Sequence, residues 1–455
     1  MLPWSRDSPQ PHMDDSTRHW IDQDHTHGWH PFTRQQDWCA QPKDTLVITK
    51  AEGAWLWDSE GRRYLDGNSS IWTNIHGHSH PTITRAIQQQ AATLDHSSFL
   101  GATHPGAVEL ATKLCALFPE QTLERVFFSD NGSTAIECAL KMAIQFHQQT
   151  GAGQRTRFAA FANSYHGDTL GAASTGGVSR FFKRFKHYGY EVEHVCDLTE
   201  LDQLNSDTLA AVVIEPLIQG VNEMRPWPSG MLKQLREWCT ANRVQLILDE
   251  VMTGFGRTGT LFACQQEDVI PDYLCLAKGL TGGTLPLAAT LTTETVYKAF
   301  LGKADKAFYY GHSYTANPLG CAAALANLLV FEEEQTLEKL PAKIDHLKQA
   351  LGQLKDKHPH IHEIRQCGLI AGIELRNPNG EPFPTEDRIG ENVCLAAREH
   401  ELLTRPILDT LVLMPPLCCN CDELDHAISA ISNAISNIMD KAIDEATDET
   451  TPSEL

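Results

Sequence analysis

Residues 245–259 read QLILDEVMTGFGRTG. Gly254, Gly256 and Gly259 fit G-x-G-x-x-G behind an apolar run, the spacing of a dinucleotide-binding turn. That turn opens a helix and finds its ribose-binding acid about twenty residues later, at the end of the next strand. Here Asp249 and Glu250 precede the glycines, and Arg257-Thr258-Gly259-Thr260 does not resemble a helix start. The stretch is therefore read as a strand ending in a carboxylate, followed by a loop that has to bend.

The same rhythm extends outward. From about Arg125 to Val330, the runs RVFFSD, RFAAFAN, AAVVIEP, QLILDE, YLCLAKG and LAATLTT read as strands, with helical patterns between several of them. This is the signature of βαβ units and predicts an α/β fold with a mostly parallel central sheet. Residues 46–65 alternate around Glu60-Gly61 as a hairpin does. Beyond Phe331, long helical patterns and the strands GLIAGIEL and LVLMPPL predict a smaller α+β domain that the hairpin can join. The expected organisation is a disordered or loosely attached segment at 1–28, small-domain parts at 29–75 and 331–440, a large domain at 76–330, and an acidic tail at 441–455.

Composition narrows the function. A formal net charge of −21 makes polyanions poor partners, so nucleic-acid binding is not expected. No run of eighteen apolar residues occurs, so no membrane helix is expected. The start, MLPWSRDSPQPHMDDSTRHW, has no apolar signal region, and the expected compartment is the cytoplasm. Thirteen scattered cysteines point to reduced thiols rather than a disulfide framework. The pair Cys418 and Cys421 lacks a second pair, and the tracts His25, His27, His30 and His76, His78, His80 read as loop polarity, so no metal is expected.

In open parallel sheets, ligands sit beyond the carboxyl ends of the strands, so the polar residues there are the candidates for chemistry. Lys278 ends YLCLAK; burial lowers the pKa of a lysine, and a neutral amine is what Schiff-base chemistry requires. Asp249 ends QLILD; a buried carboxylate needs a cationic partner, and a protonated pyridine nitrogen is one. Asp130-Asn131-Gly132-Ser133 precedes the helix TAIECALKMAIQF, with Thr134 and Glu137 reading as a capping box, and a helix N-terminus suits a phosphate. Each signal alone has a bland reading: a surface lysine, a capping acid, an ordinary helix start. Together they describe a site for pyridoxal 5'-phosphate.

The stretches FFSDNGSTAIECALKMA, YHGDTLGAASTGG, IEPLIQG, LILDEVMTGFGRTGTLFA, PDYLCLAKGLTGGTLPLAA and GHSYTANPLGCAAALANL resemble the class III aminotransferases, of fold type I, over most of residues 30–420. WHPFTRQ, DGNSSIWTNIHGH, LLTRPIL and LVLMPPL are most similar to the branch that acts in biotin synthesis. The resemblance implies amino transfer onto 8-amino-7-oxononanoate by a homodimer with sites at its interface. It implies that Gly132 and Ser133 hold the phosphate, Asp249 the pyridine nitrogen and Lys278 the aldehyde. Tyr165 would stack on the ring and meet substrate, and Glu215 would hold its polar edge or the resting-state arrangement. Gly311, His312 and Ser313 would reach the neighbouring copy's site, Phe32, Ile71 and Trp72 would wall the substrate, and Arg405 would grip its distal carboxylate, as a guanidinium fork does.

The chain departs from the family pattern in having Phe32 where many members have Tyr, Ile71-Trp72 where many have Trp-Trp, and His312-Ser313 where many have Pro-Thr. These changes leave the amino donor open between S-adenosylmethionine and lysine. The alternatives are a class III enzyme for ω-amino acids of the ornithine, 4-aminobutyrate or β-alanine type, a catalytically idle fold type I scaffold, and the dinucleotide-binding dehydrogenase suggested by the glycines.

Overall fold

The computed structural model describes residues 14–448. Its centre is a seven-stranded sheet in the order Leu123–Ser129, Ala288–Thr293, Tyr273–Leu276, Gln245–Asp249, Leu209–Ile214, Arg157–Phe161 and Val192–Val195. Only Ala288–Thr293 runs antiparallel to its neighbours, so the sheet is mostly parallel, as the alternating pattern predicts. Leu209–Ile214, Gln245–Asp249 and Tyr273–Leu276 are buried at every residue. Their near-continuous apolar runs reflect this, because both faces of a parallel sheet are covered.

The helix Gly132–Gln149 packs on one face through Ile136, Leu140 and Ala143. Its cap differs from the expected one. Asn131, not Thr134, is the N-cap: its side chain accepts from Thr134 N at 3.0 Å, and Thr134 Oγ1 accepts from Asn131 N at 3.2 Å. Glu137 is consequently free of the cap and accepts from Thr169 Oγ1 at 2.7 Å and Ala172 N at 3.2 Å. An Asn before a Gly is as good a cap as a Thr, and the cap simply falls three residues earlier.

The hairpin is a three-stranded meander, Ile48–Glu52, Trp55–Asp58 and Arg63–Asp66. Its last strand pairs in parallel with Leu402–Leu403. A second small sheet orders Ile361–Cys367, Ile370–Leu375, Thr410–Leu413 and Arg405–Ile407.

Two terminal segments are described in part. Within the segment read as loosely attached, Asp15–His27 is a helix, held by buried Ile21 and by Thr17 Oγ1 at 2.6 Å from Ser59 Oγ. A single apolar anchor in a polar helix gives too faint a periodicity to detect. The last helix, Cys421–Asp448, runs on into the stretch read as an acidic tail. Residues 1–13 and 449–455 lie outside the described residues. Among the described residues no helix is long and apolar enough to cross a membrane.

Candidate functional site

Five strand ends converge on one cavity of about 420 Å³. Its lining includes Gly132, Ser133, Tyr165, Glu215, Asp249 and Lys278, each supplied by the segment that follows or ends a different part of the central sheet. Those six sequence candidates are thus brought together.

Asp249 and Glu250 take opposite directions, as successive residues at a strand end must. The Asp249 carboxylate is buried at the cavity; Oδ2 lies 2.8 Å from His166 Nδ1 and Oδ1 accepts from Val251 N at 3.1 Å. Glu250 turns into the protein and accepts from Ala263 N and Cys264 N, both at 2.8 Å, and from Thr253 Oγ1 at 3.1 Å. Burial raises its pKa against those bonds. Asp249 therefore belongs to the site, and Glu250 anchors the following loop.

Lys278 sits at φ 45°, a left-handed conformation rare for a side chain of this size. Burial lowers its pKa, opposed by the negative charges of Asp249 and Glu215. Its Nζ stands 5.0 Å from the Trp72 ring centroid. Glu215 is buried, and that burial pushes its pKa up to about 7. Its oxygens accept from Tyr165 N at 3.1 Å and Gly220 N at 2.9 Å.

The other end of the cavity is the start of helix Gly132–Gln149. The cap takes Thr134 N, leaving the first two helical amides, Gly132 and Ser133, outside the capping bonds. Ser133 Oγ accepts from Asp168 N at 3.0 Å, and Asp168 Oδ2 accepts from Tyr165 Oη at 2.6 Å. Burial and that carboxylate hold the Tyr165 hydroxyl far above its usual pKa. Gly167, at φ 118°, permits the close approach: a Cβ there would meet Ser133 Oγ at 2.3 Å.

Phe32, Ile71, Gly311, His312, Ser313 and Arg405 lie outside this lining. Phe32 is exposed but edge-on to Phe181 at 5.7 Å, and Phe181 is edge-on to Tyr165 at 5.7 Å. Ile71 is half exposed beside Trp72, which does line the cavity. His312 Nε2 is 3.9 Å from Asp130 Oδ1, while Gly311 and Ser313 are exposed. Arg405 is exposed on an edge strand, paired with Val412. Val412 shares an apolar cluster with Met252 and Trp72, both of which wall the cavity.

Sequence reasoning missed the roles of His166, Asp168 and Phe181. His166 was visible as a polar residue at a strand end, but its partner is 83 positions away. It also missed Arg257. The loop Val251–Phe262 opens no α-helix, only the short 3-10 helix Ala263–Glu267, and Arg257 is buried within the loop, donating to the carbonyls of Pro415 and Asn74.

The family model for aminotransferase class-III matches residues 39–435. The chain belongs to the class-III aminotransferases. A Geobacter sulfurreducens protein named adenosylmethionine-8-amino-7-oxononanoate aminotransferase is 43% identical over 90% of this chain and 96% of its own. The crystal structure of a protein of that name from Methanocaldococcus jannaschii superposes with a TM-score of 0.88 at 38% identity, over 92% of this chain and 99% of the other. An (S)-enantioselective omega-transaminase from Thermomicrobium roseum gives 0.88 at 31% identity, over 93% and 99%.

The donor set of this class-III aminotransferase suits pyridoxal 5'-phosphate. Open helical amides meet a phosphate, a buried carboxylate with an oriented histidine meets a protonated ring nitrogen, and an amine of lowered pKa meets an aldehyde.

Proposed function

We propose that this aminotransferase moves an amino group onto the ketone of 8-amino-7-oxononanoate, giving 7,8-diaminononanoate for biotin synthesis. S-adenosylmethionine or lysine is the donor. The observation that carries the amino-transfer reading is the convergence of Lys278, Asp249 and an open helix start on one cavity. The choice of acceptor is supported by relatives bearing that substrate in their names at 41–45% identity. It is also supported by the apolar wall that Trp72 and Met252 give the cavity, since their buried cluster includes Val412, the backbone partner of Arg405.

When bound, pyridoxal 5'-phosphate supplies an aldehyde that carries the amino group and a ring that accepts charge from the neighbouring carbon. Gly132 and Ser133 hold its phosphate at the helix start. Asp249 keeps the ring nitrogen protonated, and His166, 2.8 Å away, fixes the direction of that carboxylate. Lys278 Nζ, made less basic by burial, would take the proton from the carbon bearing the donated amine and deliver it within the same half-reaction to the carbon that began as the aldehyde, and would run that transfer in reverse with the acceptor. Tyr165 stays protonated and donates to Asp168, which keeps the ring-side wall in place. Phe32, Ile71 and Trp72 wall the substrate, and Arg405 meets its carboxylate.

We read the working unit as a homodimer, in which Gly311, His312 and Ser313 serve the neighbouring site; the exposed aromatics Tyr309 and Tyr314 beside them support this. Thirteen free cysteines support the cytoplasm as its compartment.

A half-reaction assay tests the proposal. Cofactor-loaded enzyme receives S-adenosylmethionine or lysine, and the visible absorbance is followed; 8-amino-7-oxononanoate is then added. One donor should bleach the band and the keto acid should restore it. A band restored by simple ω-keto acids but not by this one would sink the proposal in favour of an ω-amino acid transaminase, the reading that the Thermomicrobium likeness favours.

A further inference from the structure

The alternating tract His76, His78, His80 has no part in the chemistry above, and its members do three different things. His80 caps the helix Pro81–Thr93 by accepting from Thr82 N, and its Nε2 lies 2.9 Å from Glu334. His76 is buried edge-on to Phe331. His78 alone reaches the supports of the cavity. Its Nε2 is 2.8 Å from Asp66 Oδ2, and its Nδ1 is 3.3 Å from Asn74 Nδ2.

Asp66 and Asn74 flank the turn that presents Ile71 and Trp72. That turn is strained: Ser69, Ser70 and Trp72 have φ of 47°, 62° and 62°, without a glycine among them. Such conformations persist where the surroundings over-determine them. Both oxygens of buried Asp66 accept from Ser70 N, at 2.9 and 2.7 Å, and Oδ1 from Asn68 N at 3.3 Å. Asn68 Oδ1 in turn takes the Trp72 indole N–H at 2.9 Å. At the far end Asn74 Oδ1 accepts from Gly77 N at 2.8 Å, which fixes its amide with the NH2 toward His78. Gly283 closes the floor, since a Cβ there would strike Thr73 C and O at 2.5 Å.

Asp66 only accepts and the Asn74 NH2 only donates, so His78 holds a proton on Nε2 and a lone pair on Nδ1. We infer that His78 is a positioning residue: it staples the two ends of the Ser69–Trp72 turn and so sets where Trp72 stands over the Lys278 amine. This rests on the reading of the cavity as the amino-transfer site. The staple governs how substrate is seated against Trp72, not the acid–base chemistry of Lys278.

Three variants of the cofactor-loaded enzyme separate this role from a structural one. His78→Phe removes both bonds; His78→Gln places an amide NH2 near the Nε2 position; His78→Asn keeps an acceptor near Nδ1. His78→Phe should raise KM for the keto substrate at least tenfold, with cofactor affinity and the absorbance of the loaded enzyme within twofold of the parent. Gln and Asn should each recover part of the loss. A parallel fall in cofactor affinity, both half-reactions and Tm, with no rescue by Gln or Asn, would overturn the inference, as would a KM within twofold of the parent in His78→Phe. A crystal structure of His78→Gln and His78→Phe decides independently of the substrate. Trp72 should shift in Phe and hold in Gln; an unmoved Trp72 and unchanged Ser69–Trp72 turn in both would overturn the inference even if the acceptor proves to be another ketone. Absence of any amino transfer by the parent would instead overturn the functional reading.

Discussion

Glu215→Gln separates the cost of ionising a buried carboxylate from the value of its hydrogen bonds. Burial, with Asp249 adding to it and His166 and two backbone amides opposing, lifts the Glu215 pKa from an ordinary 4.5 to about 7. At about 1.36 kcal/mol per pKa unit, this amounts to about 3 kcal/mol. Between pH 4.5 and 7 the folded protein holds a proton that the unfolded chain has released. The stabilising contribution is therefore complete below pH 4.5, falls as pH rises, and is gone above about 7. Glutamine has no charge to carry, so its contribution is flat with pH. It offers one acceptor oxygen where Glu215 serves both Tyr165 N and Gly220 N, which costs about 1–3 kcal/mol at every pH. The variant should thus be less stable than the parent near pH 5 and equal or more stable at pH 8, the difference moving by about 3 kcal/mol across the window. Urea unfolding of cofactor-free protein at half-unit pH intervals, followed by far-UV circular dichroism, reads this difference directly. A difference that stays level from pH 5 to 8 would refute the reasoning, because it would mean that Glu215 ionises as an exposed carboxylate does.

Lys278→Ala should abolish turnover and leave Tm within a few degrees of the parent, since it removes a buried amine that burial already disfavours; turnover near that of the parent would remove Lys278 from the mechanism. Glu250→Gln should lower stability by about 1–3 kcal/mol in urea, because one amide oxygen cannot serve the three donors of the carboxylate. Its KM for both substrates should stay within twofold, and a selective kinetic loss would move Glu250 into the site. Arg405→Ala should raise KM for the keto acid at least tenfold more than KM for the donor; equal effects on both would make this arginine a general structural residue.

What the sequence discloses follows from how local each signal is. The central sheet is legible because its strands are buried on both faces and so are apolar throughout, as Leu209–Ile214 is. Lys278, Asp249 and the helix start at Gly132 are legible because each ends or begins an element, and polar residues stand out against apolar runs. His166 is not, since its meaning comes from a carboxylate three strands of sequence later that folding places 2.8 Å away. The expected helix cap lies three residues too late because Asn131 and Thr134 satisfy the same local rule, and only the structure shows that they cap reciprocally. Arg257 was hidden for a different reason. A charged residue in a glycine loop reads as surface, and nothing nearby in sequence announces that Pro415 and Asn74 would supply carbonyls to a buried guanidinium.

The stretch 245–259 shows how one segment can serve chemistry and architecture without compromise. Along a strand, successive side chains leave on opposite faces, so a pair of adjacent acids cannot both enter one cavity. Asp249 faces the cavity and is left with a histidine partner and room for a cation. Glu250 faces inward and is saturated by Thr253 nearby and by Ala263 and Cys264 on the far side of the glycine loop. That loop must therefore return on itself within a dozen residues, which is what Gly256 and Gly259, at φ 88° and 109°, allow. The glycines that imitate a dinucleotide fingerprint are needed because Glu250 pulls the loop back. The return in turn carries Arg257 to the Asn74 carbonyl, at the foot of the turn that holds Trp72 over Lys278. The pleat thus fixes which position faces the cavity, 249, and which anchors the returning loop, 250.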